Sequence, residues 1–350
     1  MDVYTMEETW GVTQGEGVTV AVIDTGVDGS HPDLTGQVLK GKDFTGGGDA
    51  QEDVEGHGTA MASLIAAHGH GADNADGMMG IAPKAKILPL RVLQNDDDKL
   101  LDDEWATAVR YAVDNGAKVV NLSLGDEGGK TLRVGREAIA YAQDHDVLVV
   151  ASSGNEGGAV GYPAALPGVL AVSAVDENGE FWGSSGAGKE VDLAAPGVDI
   201  LSANPTNPKG YDLSTGTSDS AAIVSGAAAL VRSKYPDLTA GQVANRLIKS
   251  ASFLGKKGLK APDDKYGYGV LRPNKAVTMD IPKGPKEGPL GKLPSDTASK
   301  AGGSEAGEKN GASGNEDSSS SSNLPLVIGG GVAVLIVIGV IFAVARGRRG

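Results

Sequence analysis

The 350-residue chain predicts an α/β fold, a doubly wound, mostly parallel sheet flanked by helices, with a transmembrane helix at its C-terminal end. Three observations carry this. From Gly17 to about Val277, short apolar runs alternate with stretches whose apolar residues recur at helical spacing. Glycine stands at 53 positions while aromatics make up only 4% of residues, which suits tight turns and close helix-to-sheet contact. Near the end, one long stretch carries no charge at all.

The strands are read from "VTVAVI" (18–23), "AKILPLRVL" (85–93), "AKVVNLSL" (117–124), "DVLVVAS" (146–152) and "GVLAVSAV" (168–175). These runs lack a polar alternate face, as expected of parallel strands covered on both sides. Between them, "GTAMASLIAAH" (58–68), "DEWATAVRYAVDNG" (103–116) and "LRVGREAIAYAQDH" (132–145) have helical periodicity. In such a sheet the chemistry belongs at the carboxyl ends of the strands.

A globular domain is expected over residues 1–280 and a disordered Pro/Gly/Ser-rich linker over 281–323, where almost no large apolar side chain occurs. "LPLVIGGGVAVLIVIGVIFAVA" (324–345) is long enough to cross a bilayer core of ~30 Å. The tail "RGRRG" (346–350) is basic, so the positive-inside rule places Arg346, Arg348 and Arg349 in the cytoplasm. The expected location is therefore the cell membrane, single-pass, with the domain outside. Export requires a leader, yet "MDVYTMEETW" offers neither a basic start nor an apolar run, which leaves open a misplaced start or a trimmed form. The net charge of −14 argues against a nucleic-acid partner, and the lack of cysteine excludes disulfides and thiolate metal sites.

Three polar residues stand out at element boundaries. Asp24 ends "VAVID", His57 opens a helix in "GHGTAMASL", and Ser218 opens another in "GTSDSAAIVSGAAAL". Taken singly, these are a turn residue, a surface histidine and a helix cap. Together they are a carboxylate, an imidazole and a hydroxyl. A serine hydroxyl becomes nucleophilic when an imidazole takes its proton, and a carboxylate holds that imidazole in the required tautomer.

In that order, with "VVASSGNEG" (149–157) as a fourth element, the motifs resemble the subtilisin-like serine proteases over about residues 8–278. The resemblance implies a subtilisin-like fold, an Asp24–His57–Ser218 triad, and an oxyanion hole made by the Asn155 amide and the Ser218 backbone N–H. It also implies substrate-binding residues: Ser123, Leu124 and Gly125 as one wall of the pocket for the residue before the scissile bond, Ser152, Ser153 and Gly154 as the other, and Gly161 in its floor. Polypeptides are then the substrates.

The family's calcium loop would fall in "HGADNADGMMGIAP" (70–83), making Asp73, Asn74 and Asp76 candidate oxygen donors for Ca²⁺. No other cofactor and no other metal is expected. The loop "QNDDDKLLDDE" (94–104), with Asp126 and Glu156, reads either as a negative field favouring basic residues before the scissile bond or as a solvated acidic loop. The chain departs from the family after the nucleophile, where Asp219 replaces a bulky residue and Ala222 a proline. A carboxylate beside Ser218 would either stabilise protonated His57 and move the activity optimum above neutral pH, or repel the oxyanion.

A subtilisin-like domain with a polar linker, one C-terminal membrane helix and a basic tail is similar to the mycosins, the membrane-anchored proteases of type VII secretion. That similarity implies secretion-complex proteins as partners. The residues leave three classes open: an endopeptidase, a structural subunit of a membrane complex, and a peptide-binding protein without turnover. A general cell-surface subtilase has the same topology.

Overall fold

The computed structural model describes residues 5–94, 102–125 and 133–293. Asp96, Asp97, Asp98, Asp126, the linker from 294 and the apolar segment 324–345 with its tail lie outside the described residues. Among the described residues no helix is long and apolar enough to cross a membrane.

The elements are α1 (Met6–Trp10), β1 (Thr19–Asp24), β2 (Lys42–Asp43), α2 (His57–Ala66), β3 (His68–His70), β4 (Asp76–Met79), β5 (Lys86–Arg91), α3 (Asp102–Asp114), β6 (Val119–Leu122), α4 (Arg133–Asp144), β7 (Leu148–Ser152), β8 (Val169–Val175), β9 (Val191–Pro196), β10 (Ile200–Ala203), β11 (Tyr211–Ser214), α5 (Thr217–Lys234), α6 (Ala240–Ser250) and α7 (Pro273–Thr278). Seven strands form one parallel sheet in the order β2-β5-β1-β6-β7-β8-β9. All five expected strands and all three expected helices are present. Strands β2 and β9 and the two hairpins β3–β4 and β10–β11 are not marked by the apolar runs of the sequence.

Strand β1 shows why the sheet is covered on both sides. Val20 and Val22 point into the core shared with α2 and α5, while Ala21 and Ile23 join the core shared with α3 and α4. Val20, Val22 and Ile23 each contribute roughly 1.5–3 kcal/mol on burial. The chain runs from β1 through α2 to β5 on one side, then crosses by α3 to β6 on the other. The strand order thus reverses at β1, and a crevice opens beyond its carboxyl end, where Asp24 sits.

Helix α5 is buried from Thr217 to Arg232 because it runs under the sheet with neighbours on all sides. Its small residues make this possible: a Cβ placed on Gly226 would come within 2.7 Å of the Ile81 Cβ. Helix α6 opens with a capping box, Thr239 Oγ1 accepting the Gln242 N–H and Gln242 Oε1 accepting the Thr239 N–H.

Residues 281–293, expected in the linker, instead lie against the domain. The carbonyls of Gly284, Lys286 and Gly291 accept hydrogen bonds from Gln242, Thr239 and Gln143 at 3.0, 2.6 and 2.9 Å, and Leu293 is buried. Polar side chains of α4 and α6 hold a strap with few apolar residues of its own, an arrangement its composition does not reveal.

Candidate active site

Asp24 ends β1 only 1% exposed, and its Oδ1 lies 2.7 Å from His57 Nδ1. The same oxygen accepts the Thr25 N–H at 2.8 Å, while Oδ2 is buried without a hydrogen-bond partner among the described residues. A carboxylate accepting from Nδ1 selects the tautomer whose Nε2 is basic. His57 is the first residue of α2, and close packing brings that helix end to β1: a Cβ on Gly58 would fall 2.0 Å from the Gly26 carbonyl oxygen and 3.1 Å from the Asp24 Cβ.

Asp53, which the sequence reading passed over, ties these two segments together. Its Oδ1 accepts from Thr25 Oγ1 and the Gly56 N–H at 2.9 and 2.8 Å, and its Oδ2 accepts from the Thr59 N–H and Oγ1 at 2.8 and 2.6 Å. Thr25 Oγ1 in turn accepts the Gly58 N–H at 3.0 Å. The signal available was three polar residues close to the two motifs. Their burial became visible only in the folded chain.

Ser218 is the second residue of α5, and the N-cap position belongs to Gly216. Its hydroxyl does not cap the helix but donates to the Ser123 carbonyl at 3.2 Å, while Ser123 Oγ donates to the Ser218 carbonyl at 2.9 Å. Asn121 donates to Ser123 Oγ and accepts from Ser225 Oγ, both at 3.0 Å, so α5 is fastened to the end of β6.

Asn155 Oδ1 accepts the Thr217 N–H and the Thr217 hydroxyl, each at 2.9 Å. With the oxygen so anchored, the amide Nδ2 lies 3.4 Å from the position a Cβ would take on Gly216. A Cβ at Gly216 would therefore stand in van der Waals contact with the donor. His57, Asn155 and Ser218 line one cavity of about 300 Å³, and Asp24 stands behind His57.

The expected substrate walls also meet. Ser123, Leu124 and Gly125 follow β6, and Ser152, Ser153 and Gly154 lie at the end of β7. The Gly161 N–H donates to the Ser153 carbonyl at 3.1 Å, and a Cβ on Gly125 would lie 3.1 Å from the Tyr162 carbonyl oxygen. Gly125 thus faces the segment that carries Gly161.

Asp219 is 2% exposed, lines the cavity, and accepts the Ser214 hydroxyl at 2.5 Å on Oδ1. Burial pushes its carboxyl up to about 6, against the hydrogen bond from Ser214 and the attraction of His57. Asp33, fully buried, is opposite in sign. Burial raises it, but hydrogen bonds from His70, Tyr211 and the Met78 N–H outweigh burial and hold it below the usual carboxylate range.

Asp73, Asn74 and Asp76 are exposed on the β3–β4 hairpin, and among the described residues no three acidic or imidazole groups are placed to hold a metal. Asp33, nearby, has its carboxylate taken up by the three protein donors just named.

A model of the subtilase family of peptidases matches residues 15–269. Subtilisin DY from Bacillus licheniformis is 38% identical over 261 residues, covering 73% of this chain and 88% of that protein. Among solved structures, the MycP3 protease from the type VII (ESX-3) secretion system superposes with a TM-score of 0.67 at 32% identity, covering 79% of this chain and 87% of the other. MycP1 from Mycobacterium smegmatis gives 0.70 at 30% identity, covering 84% and 88%. On the match over most of its length and on these relatives, the chain belongs to the subtilase family and is a subtilisin-like serine endopeptidase.

Proposed function

We propose that Asp24, His57 and Ser218 form the nucleophilic relay of this endopeptidase. The observation that carries the reading is the 2.7 Å Asp24–His57 pair placed behind the cavity that His57 and Ser218 share. His57 takes the Ser218 proton as Oγ attacks the scissile carbonyl, and Asp24 stabilises the imidazolium that results. The imidazolium then passes that proton to the leaving amine. The developing oxyanion is held by Asn155 Nδ2 and the Ser218 backbone N–H at the start of α5, where the helix dipole adds to the stabilisation. Ser123–Gly125 pairs with the extended substrate, and Ser152–Gly154 with Gly161 encloses the side chain before the cut. Labelling the full chain with a fluorophosphonate should give one adduct by intact mass, absent from Ser218→Ala. A folded, unlabelled wild-type protein would reject the relay.

The second part of the reading is a mycosin-like role. The protease would be anchored by residues 324–345 with its domain outside the membrane, acting on polypeptides in a type VII secretion complex. The likeness to MycP3 and MycP1 and the uncharged segment before "RGRRG" support it. Removing residues 324–345 should move the protein from the membrane to the soluble fraction. Retention in the membrane would refute the anchor.

A further inference from the structure

The cavity that holds His57 and Ser218 has a side the peptidase relay does not use. It contains none of the walls at Ser123–Gly125 and Ser152–Gly154 and is closed instead by Ser214 of β11 and by Asp219. Ser218 Oγ lies between the two sides, donating toward Ser123. When the acyl portion of a substrate lies against Ser123–Gly125, the leaving amine and the residue that carries it must extend the other way, into this cavity.

That side is acidic. Glu55, Asp212 and Asp219 line it, and no Lys or Arg does among the described residues. Asp219 is the nearest of the three to the nucleophile in the chain. Its Oδ1 is held by Ser214, and its Oδ2 lies 3.6 Å from where a Cβ would stand on Gly216, beside the Asn155 amide. A carboxylate pinned there acts on whatever follows the scissile bond.

Resting on the relay proposed above, we infer that Asp219 is a specificity-determining residue that selects a basic side chain immediately after the scissile bond. A Lys or Arg there meets a fixed negative charge on a carboxylate that is itself buried, whereas a Glu meets like charge. Charge on the carboxylate is what discriminates, so the preference belongs to the ionised form. Burial places that ionisation near pH 6. The titratable groups facing Asp219 are His57 from α2, Glu55 before it and Asp212 from β11. His57 must be neutral for any substrate, so its titration cancels in a ratio of two substrates.

The test uses the full-length protein. Cleavage sites in a random peptide library, read by mass spectrometry, supply one well-cut sequence, which is remade with Lys, Gln or Glu after the scissile bond. At pH 8 the wild type should cleave the Lys peptide about tenfold faster in kcat/KM than the Gln peptide, with Glu slowest. Asp219→Asn should bring the Lys/Gln ratio close to one, and in the wild type the ratio should fall as pH drops through about 6. An even ratio in the wild type, or one that survives in the Asn variant, overturns the assignment while leaving the relay intact. If the variant does not fold, a wild-type ratio independent of pH overturns it equally. Absence of both cleavage and fluorophosphonate labelling removes the relay and this inference together.

Discussion

The Thr217 hydroxyl donates to Asn155 Oδ1 at 2.9 Å, and the Thr217 N–H reaches the same oxygen at the same distance. One residue therefore fixes the orientation of the Asn155 amide through its oxygen. Asn155→Ala should lower kcat on the order of 10²–10³-fold, the size established for an oxyanion donor in this family. Thr217→Val should lower it by about tenfold with KM nearly unchanged, and Thr217→Ser should restore it. Steady-state kinetics on one peptide series decides. A Val variant altered in KM alone would make Thr217 a packing residue.

The pair Asp24–His57 yields a second expectation. Asn at position 24 can donate to Nδ1, which favours the tautomer with its proton on Nε2 and leaves no base facing Ser218. Asp24→Asn should reduce kcat by on the order of 10⁴-fold while the protein remains folded by circular dichroism. A loss under tenfold would place the orienting group elsewhere.

Asp53 joins the β1 loop to α2 through four accepted hydrogen bonds. Asp53→Ala strands the Thr25 and Thr59 hydroxyls and two backbone N–H groups away from water, costing about 3 kcal/mol in urea unfolding. Because Asp24 and His57 lie on the two segments it joins, kcat should fall as well, by about tenfold or more. Asp53→Asn, which keeps one acceptor oxygen, should recover part of both.

Asp192 on β9 predicts a pH dependence of stability. Burial raises its carboxyl to about 7, opposed only by the hydrogen bond from the Ala171 N–H at 3.1 Å. The folded chain therefore holds a proton that the unfolded chain has released, and stability is full below about pH 4 and declines as pH rises toward 7. Asp219 acts in the same sense up to about pH 6. Asp192→Asn should raise stability at pH 8 by on the order of 2–4 kcal/mol and change little at pH 4. Thermal midpoints across that range measure it, and equal gains at both ends would contradict the assignment.

The sequence by itself determined the repeated strands and helices and the chain order of the proposed relay. Apolar runs and helical periods are local properties, and Asp24, His57 and Ser218 each sit at an element boundary marked by glycine. The resemblance to the subtilases followed from the same short segments. It also exposed Asp219 as a departure, without showing which way its carboxylate faces. Tertiary structure decided the rest, because most of the remaining relationships join residues far apart in the chain. Asp53 bears on the proposed relay only once Thr25 and Thr59 converge on it. Thr217 matters because it meets Asn155, 62 residues away. Residues 281–293 read as linker because they carry few apolar side chains, yet they are held by polar side chains from α4 and α6. Burial and long-range hydrogen bonding are properties of the packed chain, so composition and spacing do not contain them.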